Sequence, residues 1–212
     1  MRLKRRAMVA VLAAGTLMFA GGAAQAGEPI DAPAPAFEIT PELQGYLDTL
    51  DPQERAEFIA TTLPASETVT YGKQTPANAT AVASLNAATA RGVAVSPRAT
   101  GCWTMRSNGS AKAATGNTLY TYYHVGQWCA SGSTVTSAKV QERGGETSTP
   151  GWRWGGAIAG SAGVVGNQGR SYSQVKFVLK AGPWDVQSPT PCLRVNGMSN
   201  ATATTTSTCG IY

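Results

Sequence analysis

The spacing of hydrophobic residues along the chain changes near residue 98. Before that point, apolar residues recur at the spacing of an amphipathic helix. Thr40-Pro41 and Asp51-Pro52 each combine an N-cap residue with a proline at the first helical position, and Glu54 is placed to complete a capping box on Asp51. We therefore expect one helix to begin at each cap and a third, alanine-rich helix to span about residues 76–91.

From residue 99 onward, short runs rich in β-branched and aromatic residues alternate with glycine, serine and asparagine. No helical spacing interrupts these runs, a pattern typical of an antiparallel sandwich or barrel. Asn108-Gly109, Ser131-Gly132 and Gly182-Pro183 predict tight turns, while residues 155–169 fit either a glycine-rich loop or an irregular strand. The predicted strands are residues 102–106, 118–129, 134–142, 172–180, 184–187, 192–195 and 202–209.

The cysteines add disulfide bonds to this fold. All four lie in the β part of the chain, and in an exported protein an even number predicts disulfides, for which three pairings are open. We favour Cys102–Cys129 and Cys192–Cys209, because each joins strands that are close in sequence, and each loop is worth roughly 3–4 kcal/mol. The predicted class is mainly β: an antiparallel β-sandwich or barrel-like domain with two disulfides, preceded by a short helical N-terminal segment.

The first 26 residues have the composition of an export signal. Four basic residues precede an almost wholly apolar stretch over residues 7–20, and Ala24-Gln25-Ala26 forms an A-x-A cleavage site before Gly27. The apolar stretch is shorter than the ~20 residues that cross a bilayer, and glycines interrupt it. We therefore expect cleavage before Gly27, a secreted extracellular chain and no membrane insertion afterwards.

Charge divides the remaining chain into two parts. Residues 27–97 carry a net charge of −6 and residues 98–212 a net charge of +7. We interpret them as an acidic, partly helical segment that rests on a basic all-β domain, since ~70 residues seldom build a sufficient core alone. The segment, joined through Ser96-Pro97-Arg98, is either a permanent cap or a removable pro-segment. Without the leader the net charge is only +1, which gives no reason to expect nucleic-acid binding.

One stretch of the β part carries a distinctive order of residues. Cys102, Asn108-Gly109, Leu119-Tyr120, Gln127-Trp128-Cys129 and Val135-Thr136 follow one another within residues 99–145. This order resembles that of small secreted proteins of Gram-positive actinobacteria, in which a cysteine precedes a strand that ends in Trp-Cys and a glycine-containing turn. The resemblance implies a disulfide-stapled β domain, and it implies no activity.

The chain's single histidine, His124, is the first candidate for catalysis. With Asp185 as its partner, or with Glu142 or Glu146 beside Arg143-Gly144-Gly145 in a solvated turn, it would serve a secreted hydrolase. No G-x-S-x-G motif supplies a nucleophile, and the paired cysteines leave no free thiol. We therefore expect His124 to be a strand residue hydrogen-bonded among tyrosines, with no catalytic role. One histidine and scattered acids also predict no metal site and no cofactor.

The sequence Trp152-Arg153-Trp154 is the best candidate for a binding surface. In an extended strand both indoles lie on one face and Arg153 lies on the other. Exposed, they would suit sugar rings, although aromatic residues of small sandwiches are usually buried between the sheets. We expect a non-catalytic binding protein for an anionic cell-wall polymer, a glycan or an extracellular protein, with a hydrolase as the alternative. Three further aromatic residues would widen the platform: Tyr120, Tyr122 and Trp184.

Overall fold

Two antiparallel sheets face each other in the computed structural model, which describes residues 30–32, 39–93 and 99–212. The first sheet, sheet A, has the strand order β1-β2-β4-β5-β6, and β3 pairs with β4 beside this path. Its long strands alternate buried and exposed residues, as expected when one face covers a core. The strands are β1 (Ile30–Ala32), β2 (Ser66–Tyr71), β3 (Thr75–Pro76), β4 (Gly101–Lys112), β5 (Thr118–Ser131) and β6 (Thr134–Thr147).

The second sheet, sheet B, covers the inner face of sheet A. Its strand order is β11-β10-β8-β7, and β9 pairs with β8. These two antiparallel sheets, together with short N-terminal helices and two disulfides, confirm the predicted fold class. The strands are β7 (Trp152–Val165), β8 (Gln168–Ala181), β9 (Trp184–Gln187), β10 (Cys192–Gly197) and β11 (Ala203–Thr206).

The described residues of the N-terminal part form three helices: α1 (Pro41–Leu47), α2 (Pro52–Thr62) and α3 (Ala79–Thr89). The two predicted caps are in place. The Leu43 N–H donates to the Thr40 hydroxyl at 3.2 Å, and Asp51 and Glu54 form the capping box at the start of α2. These caps satisfy backbone N–H groups that a helix start leaves unpaired, so the boundaries of both helices follow from local sequence.

The N-terminal part contributes to the core of the sandwich and to sheet A. Leu43 and Leu47 of α1 are fully buried in the same apolar cluster as Tyr120 and Phe177. Strand β2, which the sequence pattern did not predict, pairs with β4 along its whole length. Its short run of alternating residues lies between helical patterns and offers no turn signal of its own. The predicted leader and the 96–98 junction lie outside the described residues.

Both predicted disulfide bonds are present. Cys102 and Cys129 are directly opposite each other on β4 and β5, and Cys192 is bonded to Cys209 beyond the end of β11. No free cysteine remains among the described residues. Two disulfides are typical of proteins in an oxidising, extracellular environment.

Two predicted turns are strand residues instead, and a third stretch, residues 155–169, forms the irregular strand that was one of its two predicted alternatives. Asn108-Gly109 lies inside β4, where the Tyr122 ring occupies the space that a Cβ on Gly109 would need. Arg143-Gly144-Gly145 lies inside β6, with Gly144 and Gly145 beneath aromatic rings. Residues 155–169 form most of β7, a turn at Gly166-Asn167 and the start of β8. Glycine therefore marks close packing of rings at these positions as often as it marks a turn.

Candidate functional site

His124 lies in a layer of buried polar side chains that crosses the interior of the sandwich. Its side chain is fully buried, with Nε2 2.9 Å from the Ser171 hydroxyl and Nδ1 2.7 Å from the Ser173 hydroxyl of β8. Ser107, opposite His124 on β4, is hydrogen-bonded to Thr205 of β11 at 2.6 Å. This polar layer joins sheet A to sheet B between two apolar clusters, one around Tyr120 and Phe177 and one around Trp128.

The environment of His124 favours the neutral imidazole. Burial lowers the pKa of His124 to about 4, and the positive charge of Arg143, its cross-strand neighbour, acts in the same direction. A neutral ring donates from one nitrogen and accepts at the other, which matches two serine hydroxyls. The prediction that His124 is a hydrogen-bonded strand residue is confirmed, although its partners are serines and not tyrosines.

No candidate carboxylate lies beside His124. Asp185 is paired with Lys180 at 3.4 Å, and Lys180 follows Ser173 by seven residues along β8, or about 23 Å. Arg143 is the residue of β6 opposite His124, so its neighbour Glu142 and also Glu146 point to the other face of sheet A. The His124–Asp185 pair and its glutamate alternatives are therefore not assembled.

We predict that His124 makes the protein sensitive to acid. Its folded pKa is below the ordinary value of 6.5, so its contribution to stability is complete above pH 6.5 and is lost as pH falls toward 4. This shift in the pKa of His124 corresponds to about 3 kcal/mol in the free energy of unfolding. Urea unfolding at a series of pH values should show a shallower acid-side loss for His124→Gln than for wild type. Met105→Ala, which weakens the core but keeps the histidine, should retain the wild-type slope.

The predicted aromatic platform is mostly interior. Trp152 and Trp154 share one face of β7, as expected, but that face turns inward. Trp152 packs against Tyr120 with ring centroids 4.9 Å apart, and its Nε1 donates to the Thr62 carbonyl at 3.0 Å. Burial of Trp152, Tyr120 and Tyr122 contradicts an exposed platform built on them, because the largest aromatic rings fill the space between the sheets.

Two aromatic residues of the predicted platform remain accessible, on separate surfaces. Trp154 is 37% exposed at the edge of sheet B, where its ring covers Gly145 of β6 and contacts Phe177. Trp184 is 57% exposed on β9, next to α1. Arg153 is exposed on the opposite face of β7 from the indoles. Only Trp154 lies beside a polar cleft.

This cleft, of about 610 Å³, lies on the solvent-facing side of sheet A and extends to Trp154. Its volume is within the range of small-ligand sites. Residues directly opposite each other on antiparallel strands share a face, so the strand register defines two rows of side chains across it. One row is Thr68, Ser110, Thr121 and Glu146, and the other is Thr70, Asn108, Tyr123 and Gly144.

Tyr123 is the centre of a chain of contacts in the cleft. Its ring lies over Gly144, where a Cβ would come within 2.8 Å of the ring, and its hydroxyl donates to Glu142 at 2.8 Å. The Arg106 guanidinium lies 3.7 Å from the ring centroid, and Arg106 Nε donates to Asn108 at 2.8 Å. Ring and guanidinium are thus both held in place before any ligand binds.

The charged groups of the cleft leave donors and acceptors available. Among the described residues, neither Arg106 nor Arg143 forms an ion pair, and Arg143 donates from one terminal nitrogen to the Ala159 carbonyl at 3.0 Å. The hydrogen bond to Glu142 raises the pKa of Tyr123, so its hydroxyl stays a donor. Guanidinium donors, hydroxyls and the Glu146 carboxylate together suit a ligand rich in oxygen atoms.

Below the cleft, a half-buried carboxyl links the N-terminal part to the core. Glu67 of β2 accepts a hydrogen bond from the Tyr122 hydroxyl. Burial raises the pKa of Glu67, outweighing this hydrogen bond, and burial together with the charge of Glu67 raises the pKa of both Tyr120 and Tyr122. The site therefore favours the neutral form of each of these groups more than water does.

We predict that Glu67→Gln stabilises the protein at neutral pH. A raised folded pKa means that the contribution of Glu67 is complete below its unfolded value of 4.5 and is lost as pH rises through the folded value. Glutamine mimics the protonated form at every pH. Chemical unfolding at pH 7.5 should give a higher free energy of unfolding for the variant, and the difference should disappear below pH 4.5. Glu57→Gln, an exposed control on α2, should show no comparable gain.

Of the aromatic residues that the sequence predicts at the binding surface, Tyr122 and Trp154 line the cleft, while Tyr123 and Arg106 are lining residues that no motif identifies. Both lie in predicted strands, residues 118–129 and 102–106, but Asn108-Gly109 predicts a turn that ends β4 early. The available signal is strict alternation, which puts Tyr123 on the opposite face from the buried Tyr122 and His124. A strand β4 that extends to residue 112 places Asn108 and Ser110 on the same face as Tyr123.

Within the described residues, no group of three or more metal-ligating side chains lies together, and no helix is both long and apolar enough to span a membrane. Comparison of the chain with protein-family models, with curated proteins and with solved structures gave no match. The resemblance to secreted actinobacterial proteins therefore stays a prediction.

Proposed function

We propose that this chain is an exported, non-catalytic binding protein that holds a glycan, including the anionic sugar-bearing polymers of a cell envelope, in the cleft on sheet A. The observation that carries the proposal is the contact chain Asn108–Arg106–Tyr123–Glu142. It fixes an aromatic ring and a guanidinium on a face whose other side chains are hydroxyls, an amide and a carboxylate. Sugars present hydroxyls that pair with all of these groups.

The surroundings of the cleft support binding over catalysis. A sheet face is rigid, so its side chains need little ordering when a ligand arrives. Gly144 keeps the floor low, because it lacks a side chain that would meet the Tyr123 ring. Arg106 retains free donors for an acidic group on the polymer. Export, proposed from the N-terminal leader pattern, fits the two disulfides and would bring the chain to such polymers.

We predict that Tyr123→Ala weakens binding to cell-wall polysaccharide or to a glycan-array hit by about tenfold or more. The substitution removes the ring surface and also releases Arg106 from its fixed position. Affinity measured by calorimetry or by retention on the immobilised polymer checks this.

Tyr172→Ala is the matched control for Tyr123→Ala. Tyr172 is a half-buried tyrosine whose side chain lies on the solvent-facing side of sheet B, away from the cleft. The affinity of the Tyr172→Ala variant for the glycan should equal that of wild type. Equal loss in both variants, or no glycan bound by the wild type, would contradict the proposal.

We also predict that the mature protein keeps its N-terminal part. Thr68 and Thr70 of β2 form one side of the cleft, and Leu43 and Leu47 fill part of the core. Removing residues 27–97 would therefore leave the cleft without one wall and expose the apolar core to water. N-terminal sequencing of protein from culture medium should give an end near Gly27. An end near Arg98 would instead support the removable pro-segment.

A further inference from the structure

A second surface, on another part of the molecule, carries aromatic rings and negative charge. The Thr40 hydroxyl donates to the Val186 carbonyl at 2.9 Å, which holds the start of α1 against β9. This contact places the exposed Trp184 beside three residues on one side of α1, Glu42, Gly45 and Tyr46, and beside Thr49 in the turn that follows the helix. Together they line a cleft of about 380 Å³.

The cleft has apolar walls and one carboxylate. The indole of Trp184 and the ring of Tyr46 form its walls, and a Cβ added to Gly45 would meet no atom within 4 Å, so the floor is open. Glu42 is exposed in the first turn of α1, and no ion pair to it is formed by the described residues. A weakly polar cavity with a free carboxylate at its rim attracts a cation.

The adjoining surface has the same character. Tyr46 also contacts Phe58 of α2, with ring centroids 5.0 Å apart, and the two rings border a shallower depression with Glu54 and Glu57. Residues 39–63 contain five acidic residues and one basic residue, Arg55, which is paired with Asp48 at 3.2 Å. Asp185, the neighbour of Trp184 in sequence, is likewise paired, with Lys180 at 3.4 Å, so the net charge of the surface around Trp184 is negative.

We propose that Trp184, Tyr46 and Glu42 form a binding site for a quaternary ammonium group. An aromatic face attracts cations through its quadrupole, and tryptophan does so most strongly. A primary ammonium is compact and strongly hydrated, so apolar walls would cost it much of its hydration. A quaternary ammonium carries its charge under methyl groups, which can contact the indole and Tyr46 while Glu42 balances the charge. This site is independent of the proposed glycan cleft.

The test is calorimetric titration of the full chain with choline and with its uncharged carbon isostere, dimethylbutanol, at matched ionic strength. Choline should bind saturably and about tenfold more tightly than the isostere, because the two differ only in charge. Trp184→Ala should weaken choline binding by about tenfold, and Glu42→Gln by several-fold at low salt. Trp154→Ala, which removes the other partly exposed tryptophan, should leave choline affinity unchanged.

Each outcome decides the proposal. Absence of saturable choline binding, equal affinity for choline and dimethylbutanol, or unchanged affinity in Trp184→Ala would overturn it. Trp184 and Glu42 are exposed, so both variants should unfold at the wild-type denaturant concentration. Glycan binding by the Trp184→Ala variant reports separately on the sheet A cleft, so failure of one site leaves the other open to its own test.

Discussion

The sandwich depends on one buried polar contact: a neutral His124 held between two serine hydroxyls of the opposite sheet. Apolar side chains alone would tolerate a slip of one sheet over the other, since dispersion and burial are nearly non-directional. The hydrogen bonds at the two ring nitrogens, one donated and one accepted, are directional, and leaving either unmade in the interior costs about 1–3 kcal/mol. We therefore infer that the polar layer fixes how the sheets face each other, while the apolar clusters on either side supply most of the stability.

The fixed packing of one sheet on the other explains the positions of several glycines. Large rings lie across glycines, either of a neighbouring strand, as Tyr122 does over Gly109, or of the facing sheet, as Trp154 does over Gly145 and Trp128 over Gly197. These rings fill the interior, so the outer face of sheet A needs no large apolar side chain to cover it. Tyr123 repeats the arrangement outside, over Gly144, and is thereby held flat in the cleft.

Local sequence was sufficient for some features and insufficient for others. Helix caps at Thr40 and Asp51, the β class and both disulfides depend on residues near one another in the chain, and all were predictable. Strand β2, the length of β4 and the burial of Trp152 depend on partners far along the chain, which a periodic pattern does not identify. Asn108-Gly109 shows the limit most directly, because the same dipeptide signals a hairpin turn or, as here, a floor beneath a tyrosine ring.

The N-terminal part shapes both candidate surfaces through different elements. Strand β2 directs Thr68 and Thr70 toward the cleft on sheet A and Glu67 toward Tyr122 on the inner side, because successive residues of a strand alternate in direction. Helix α1 buries Leu43 and Leu47 and presents Glu42 and Tyr46 outward beside Trp184. The acidic segment is thus more than a cover over a finished domain. Its outward-facing residues contribute polar groups to both surfaces, and its apolar residues join the core that positions both.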